Sequence, residues 1–404
     1  MDRQLKNKLK RNIPLDYITA FITNLNMQSS VWVLYLAYCG LSLAEIGIVE
    51  GIYHATSILF EIPSGAVADL LGRKRSMVCS RVCTAISCVV MLFARNFWLF
   101  AAGFAIQALG NNLNSGSEEA LVYDSMKLLG QEEGYLKVCG NLDVIIEVSQ
   151  GIATVLGGIL SDYSYFWCYL ACLAVALLAL VPVLFMSETP GAARIDGLEL
   201  VKGDGFGIKQ KAVREVVAGH FKLSYQILKS DREIVRVVVY YSVVFAAEAL
   251  LFFYSQQYYF EMGFHRVSIS LALLAVGMAS CLGAVLSGRI YQSCGKKAVV
   301  AASSSIAFAL LCYGFQNPAL SIAVFALAGF CNAMLYPIQS DALNQRIPSG
   351  QRATLISVNS MFFSVAMIIM FPMAGALADR FGLGAVLAGV GAVLFAFAVF
   401  WHKL

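Results

Sequence analysis

The chain has 404 residues, of which 59% are hydrophobic and 13% charged, with a formal net charge of +4. A water-soluble domain carries about 25% charged residues, so this sequence lacks the polar surface that a soluble fold requires. The modest positive balance leaves no footprint for nucleic acid, and the 11 cysteines and 4 histidines show no metal-ligand spacing.

Residues 1–13 are basic and no small-residue cleavage site follows them, so they read as a retained cytoplasmic tail rather than a signal peptide. Apolar stretches then recur at 14–39, 42–71, 74–94, 97–129, 132–160 and 164–187, and again at 233–261, 265–292, 296–316, 318–347, 350–381 and 383–402. A helix needs about 20 apolar residues to cross a bilayer, and the excess in the longer stretches implies tilt or protrusion. The pattern predicts an all-α membrane protein of twelve spans. One six-helix half covers 14–187, a polar interval 188–232, and a second six-helix half 233–404. The interval begins as a turn-rich linker. It continues as IKQKAVREVVAGHFKLSYQILKS, a basic helix with Val213, Val217, Phe221, Ile227 and Leu228 on its apolar side, suited to lying on the inner leaflet. A calmodulin-type partner for this helix is the sharper alternative.

Lys and Arg set the orientation. With the N-terminus in the cytoplasm, the inner side receives Arg3 to Arg11, Arg73 to Arg75, Lys127, Lys137, the cations from Arg194 to Arg232, Arg289, Lys296, Lys297, Arg346, Arg352 and Lys403. The outer side receives only Arg95, Arg266 and Arg380. Both termini are therefore expected in the cytoplasm.

The chain also carries an internal repeat. A constant shift lays Gly65-Ala-Val-Ala-Asp69-Leu-Leu-Gly72-Arg73-Lys74, after span 2, on Gly288-Arg-Ile-Tyr-Gln292-Ser-Cys-Gly295-Lys296-Lys297, after span 8. Both glycines and both cations coincide. At the ends of spans 5 and 11, Gly158-Ile-Leu-Ser-Asp162 pairs with Gly375-Ala-Leu-Ala-Asp379. A duplicated six-helix ancestor explains both pairings.

On these features the sequence resembles the major facilitator superfamily of secondary transporters over its whole length. The family signature, Gly-x-x-x-Asp-(Arg)-x-Gly-Arg-(Arg/Lys), is met by Gly65, Asp69, Gly72, Arg73 and Lys74, with Leu70 at the commonly basic position. Gly65 would admit a neighbouring helix, Asp69 would accept backbone N–H groups from a helix N-terminus, and Gly72 would permit the turn. Arg73 could pair with Asp124 at the inner end of span 4. The resemblance implies that this cluster is a conformational latch that breaks when the protein opens inward.

It also implies that spans 1, 4, 7 and 10 line a central cavity. Span 4 carries Asn111, Asn114, Ser115 and Glu118 on one helical face, with Glu119 following. Span 7 carries Glu248 about 22 Å from its inner end at 1.5 Å per residue, with Tyr241 on or near the same face. Span 1 offers Asn24 and Gln28, and span 10 offers Asn332, Tyr336 and Gln339. Glu50 and Glu61 on span 2 and Asp143 and Glu147 on span 5 are competing buried acids. A carboxyl in low dielectric resists ionisation and makes a natural proton carrier. The bland alternative is a carboxylate satisfied between packed helices or paired with Arg81 or Arg236. Two departures from drug-exporting members stand out: Phe104 to Gly110 holds no Arg, and Gly151 to Gly158 lacks the Gly-Pro of the antiporter pattern.

The expected function is proton-coupled efflux, by antiport and alternating access, of amphipathic cationic or zwitterionic compounds such as drugs. Proton- or sodium-coupled nutrient uptake is the second reading, and a transporter-like membrane sensor the third. No nucleophile–base pair, metal cluster or phosphate loop points to an enzyme, and no cofactor or metal is implied. The expected partners are a small-molecule substrate, protons and membrane lipids. The chain is expected as a monomer in the plasma membrane, which is the inner membrane if the organism is Gram-negative.

Overall fold

The computed structural model describes residues 3–189, 229, 231–346 and 352–401. Every regular element among them is helical. In chain order these are α1 (Arg3–Asn24), α2 (Trp32–Tyr38), α3 (Leu43–Leu71), α4 (Arg73–Phe93), α5 (Phe97–Asn114), α6 (Ser117–Leu129), α7 (Tyr135–Tyr163) and α8 (Tyr165–Phe185). After the polar interval follow α9 (Arg232–Glu261), α10 (Arg266–Cys294), α11 (Lys296–Cys312), α12 (Pro318–Asn344), α13 (Arg352–Phe381) and α14 (Leu383–Trp401). The amphipathic helix expected within 188–232 lies outside the described residues.

Ten of these helices are long and apolar enough to cross a membrane. Spans 1 and 4 complete the expected twelve, but each is built from two helices rather than one. Span 1 is α1, a 3-10 turn over Met27–Ser30, and α2. Span 4 is α5 and α6, broken at Ser115 and Gly116, where Gly116 takes φ +72. Short polar side chains favour such breaks because they compete with the backbone for hydrogen bonds. Asn24 Nδ2 donates to the Ala20 carbonyl at 2.8 Å as α1 ends.

Helix starts are held by side-chain acceptors. Asn96 caps α5 through Leu99 N at 3.0 Å, and Asn317 caps α12 through Leu320 N at 3.1 Å. Two other starts are held by acids distant in sequence. Glu188 accepts from Arg73 N and Lys74 N at 3.1 and 3.0 Å, and Asp379 accepts from Leu43 N and Ala44 N at 3.0 Å each. A carboxylate there satisfies orphan N–H groups and meets the positive end of the helix dipole.

Contacts divide the chain into two compact units. The first takes Met1–Gln28, Thr56–Leu156 and Ser164–Phe221; the second takes Ser29–Ala55, Gly157–Tyr163 and Lys222–Leu404. In the first, Met77, Leu121, Val183 and Met186 form one apolar cluster and Val122, Met126 and Val138 another. Ser76 Oγ and Ser87 Oγ tie α4 to the Leu113 and Gly103 carbonyls of α5, each at 2.8 Å. In the second, α10 and α12 lie so close that a Cβ on Gly283 would stand 2.1 Å from the Phe330 carbonyl oxygen. Small residues at such seams replace the hydrophobic driving force that lipid does not supply. Large apolar side chains such as Leu59, Trp98, Val285 and Val393 stay exposed on the units, as a lipid-facing surface requires.

Candidate functional site

In the first unit, the break in span 4 gathers charge. Because α6 restarts at Ser117, Glu118 and Glu119 fall in its first turn, where the helix dipole favours acids. Arg81, 4% exposed on α4, reaches this turn: its Nη2 donates to Asn114 Oδ1 at 2.7 Å and to Glu118 Oε2 at 3.4 Å. Asn114 Nδ2 donates to the same Glu118 oxygen. Asp16 of α1, 1% exposed, interacts electrostatically with both Glu118 and Arg81. Two carboxyl groups thus share one guanidinium. Fully ionised, the cluster holds one negative charge more than its cation balances.

The loop before α4 forms a second group in the same unit. Arg73 Nη1 pairs with Asp124 and donates to the Ala120 carbonyl at 2.6 Å. Lys74 Nζ donates to the Leu184 carbonyl at 2.8 Å. Gly72 has φ +99, and a Cβ on it would stand 2.6 Å from Glu188 Oε2. Among the described residues, no atom stands within 4 Å of where a Cβ on Gly65 would be. The side chain of Asp69 lies outside the described residues.

In the second unit, Glu248 is buried halfway along α9. Aromatic rings follow the same helix and cross to α12: Tyr241 to Phe245 at 5.7 Å between centroids, and Phe245 to Tyr336 at 6.1 Å. Gln339 Nε2 donates to Asn359 Oδ1 at 2.7 Å, and Asn332 Oδ1 is buried without a hydrogen-bond partner. Among the described residues, no Lys or Arg stands within ion-pair distance of Glu248. The arrangement combines an acid, amides and π-faces, which together suit a cation with an apolar body.

The sequence of the two units, matched as a whole, identifies the family. The model of the Major Facilitator Superfamily matches residues 17–297 and 237–404. This chain belongs to the major facilitator superfamily. It is similar to the uncharacterized MFS-type transporter YxaM of Bacillus subtilis, 22% identical over 375 residues that cover 91% of this chain and 88% of the relative. It is also similar to the class H tetracycline resistance protein of Pasteurella multocida, 23% identical over 261 residues, 64% of this chain and 60% of that one. The crystal structure of the nucleoside transporter NupG superposes with TM-score 0.74 at 14% identity, covering 98% of this chain and 99% of that one. At that identity the likeness establishes the fold and leaves the cargo open. The protein is therefore an integral membrane transporter.

Among the residues singled out in this superfamily member, Asn114 and Glu118 come together around Arg81, and Arg73 meets Asp124. Asn24 accepts from Gln150 of α7 at 3.2 Å. Asn111 accepts from Gln107 at 3.0 Å, and Glu119 accepts from the Tyr135 hydroxyl at 3.1 Å, on a different side from Glu118. Gln28 sits half-buried within the 3-10 turn Met27–Ser30, and Ser115 is exposed at the break of span 4. Asp143 and Glu147 are exposed on α7, and Glu61 is half-buried on α3. Arg236 pairs with Glu233 at the start of α9, away from the buried acids.

Sequence reasoning passed over Asp16 because it falls three residues into the first apolar run. A signal was present. Asn12, Asp16, Thr19 and Thr23 recur at helical spacing, and all four place polar atoms in the interior.

Proposed function

We propose that the protein is a proton-coupled exporter of amphipathic, cationic or zwitterionic small molecules, acting as an antiporter by alternating access. The observation that carries this reading is Glu248. A buried acid in the middle of a spanning helix, flanked by aromatic rings and unmatched by any described Lys or Arg, attracts cations and has no fixed cation to hold an anion. The surplus carboxyl at Asp16 and Glu118 supports the same preference. The similarity to a protein named for tetracycline resistance favours export of drug-like compounds. The asymmetry of Lys and Arg supports a plasma-membrane protein with both ends in the cytoplasm. It works as a monomer embedded in lipid, and in a Gram-negative organism it resides in the inner membrane. The pairing of Arg73 with Asp124 suits a latch that holds one conformational state.

Transport of ethidium, a fluorescent apolar cation, in proteoliposomes with an imposed pH gradient tests the reading. Gradient-driven flux is expected in the wild type and is expected to be lost in Glu248→Gln and reduced in Glu118→Gln. If both variants transport as the wild type does, these acids do not couple the proton. Cells expressing the protein should hold less ethidium than controls. Greater accumulation would make it an importer.

A further inference from the structure

In the second unit, α3 and α13 meet along a seam of glycines. A Cβ on Gly47 would stand 2.6 Å from the Phe371 carbonyl oxygen, and one on Gly51 would stand 3.7 Å from the Pro372 ring. At Gly47 the backbones touch where a side chain would hold them apart, whereas a Cβ on Gly51 would make an ordinary contact. Further along the same face comes His54, and the seam sets its ring against Ser364 of α13. His54 Nδ1 lies 3.1 Å from Ser364 Oγ. Its other nitrogen, Nε2, lies 3.4 Å from Glu50 Oε1, one turn earlier on α3. Glu50, His54 and Ser364 are 6%, 7% and 6% exposed. Tyr53 and Phe363 meet the imidazole edge-on, with centroids at 5.3 and 5.6 Å.

Depth makes this trio unusual. From Leu43 to His54 the helix rises about 16 Å, half of the ~30 Å hydrocarbon core. Ionisable groups at that depth are expensive and mark ion or proton pathways by default. The other ionisable groups nearby are acidic or neutral. From α9, the Tyr254 hydroxyl donates toward the Leu43 and Phe371 carbonyls at 3.1 Å each and lies in electrostatic reach of both Glu50 and Asp379. Asp379, at the end of α13, is held by the N–H groups of Leu43 and Ala44. Among the described residues no Lys or Arg pairs with Glu50, and His54 is its near neighbour.

Hydrogen-bond accounting gives the trio two satisfied states. With imidazole neutral and protonated at Nε2, that N–H donates to the Glu50 carboxylate, and Nδ1 accepts the Ser364 hydroxyl proton. When a proton arrives at Nδ1, the imidazolium donates to both Glu50 and Ser364 Oγ. The Ser364 hydroxyl then turns to a carbonyl of the preceding helical turn, a bond that serine in a helix readily makes. One rotor moves, no polar hydrogen is stranded, and the net charge of the trio goes from minus one to zero. Both protonation states can therefore be satisfied within the one geometry.

We propose that Glu50, His54 and Ser364 form a proton-binding site, separate from Glu248, through which the transport cycle loads and releases its coupling proton. This rests on the reading of the protein as proton-coupled. Solution spectra of the purified full chain labelled with 15N-histidine report the site directly, with His54 assigned by the signal that vanishes in His54→Gln. The ring nitrogens of His54 should pass from neutral to doubly protonated across the pH range in which ethidium transport varies, and the transition should move in Glu50→Gln and in Ser364→Ala. A His54 signal that keeps one protonation state throughout that range overturns the proposal. In proteoliposomes, His54→Gln should lose pH-driven ethidium accumulation while ethidium still equilibrates down its own gradient. Ser364→Ala, a small change that spares the ion pair, should shift the pH profile, so the test does not depend on one variant folding. Unaltered pH-driven accumulation in His54→Gln also overturns the proposal. A wild type that ignores the pH gradient would instead defeat the proton-coupled reading itself, and the histidine spectra would still show whether the trio binds a proton.

Discussion

Arg81 is the residue on which the first unit's polar interior depends. Its guanidinium meets Asn114 and Glu118 directly and faces Asp16 electrostatically, in a position 4% exposed. Removing the cation from such a cluster leaves buried acids without compensation, which typically costs about 3–5 kcal/mol. Arg81→Gln should therefore unfold at markedly lower temperature or denaturant in detergent. In an Asp16→Asn background the same change should cost less, by roughly 1 kcal/mol or more of coupling, because only one carboxyl then needs the cation. Strictly additive costs would remove Asp16 from the cluster. The residue scale is also where sequence reading was weakest. Spacing and motif single out Glu118, Asn114, Arg73 and Asp124, and the structure brings Asn114 to Glu118 and Arg73 to Asp124. The pairing of His54 with Glu50 follows i, i+4 spacing on one helix, yet Ser364 completes it from a position 310 residues away. Nothing in the linear pattern of either segment encodes that meeting, since it depends on how two glycine-lined backbones touch.

At the scale of elements, hydropathy located nearly every helix but not the interruptions of spans 1 and 4. An averaging window passes over Asn24 to Ser30 and over Ser115 to Gly116, because the flanking residues are apolar enough to carry the mean. Broken spans matter in a transporter because half-helix ends present unpaired backbone groups to cargo and ions. Seams between unbroken helices follow a different rule, and α10 carries its own control. A Cβ on Gly283 would collide with the Phe330 backbone at 2.1 Å, whereas one on Gly277 would meet nothing within 4 Å. Gly277→Ala should stabilise the folded protein by up to about 1 kcal/mol through helix propensity. Gly283→Ala should destabilise it by about 1–3 kcal/mol or more, because two backbones must separate. Thermal unfolding of both variants checks the contrast. Equal behaviour would mean that α10 and α12 do not approach so closely.

For the whole molecule, the distribution of cations carries information that helix packing does not. Crossing the membrane an even number of times returns the chain to the side on which it began, and short loops rich in Lys and Arg stay in the cytoplasm. The turn between α10 and α11 is flanked by Arg289, Lys296 and Lys297, while the turn between α2 and α3 carries neither Lys nor Arg. Each turn has a native reporter: Cys294 is exposed at the end of α10, and Cys39 lies partly exposed at the end of α2. All 11 cysteines are free thiols, so variants retaining only Cys39 or only Cys294 can be tested for retained ethidium transport and then probed with a membrane-impermeant maleimide. Cys294 should react in inverted vesicles and resist labelling in intact cells. Cys39 should show the opposite pattern. Reversal of both would invert the orientation, and with it the direction assigned to every gradient-driven measurement proposed for this transporter. Because export is defined by that direction, this labelling experiment comes before any flux assay.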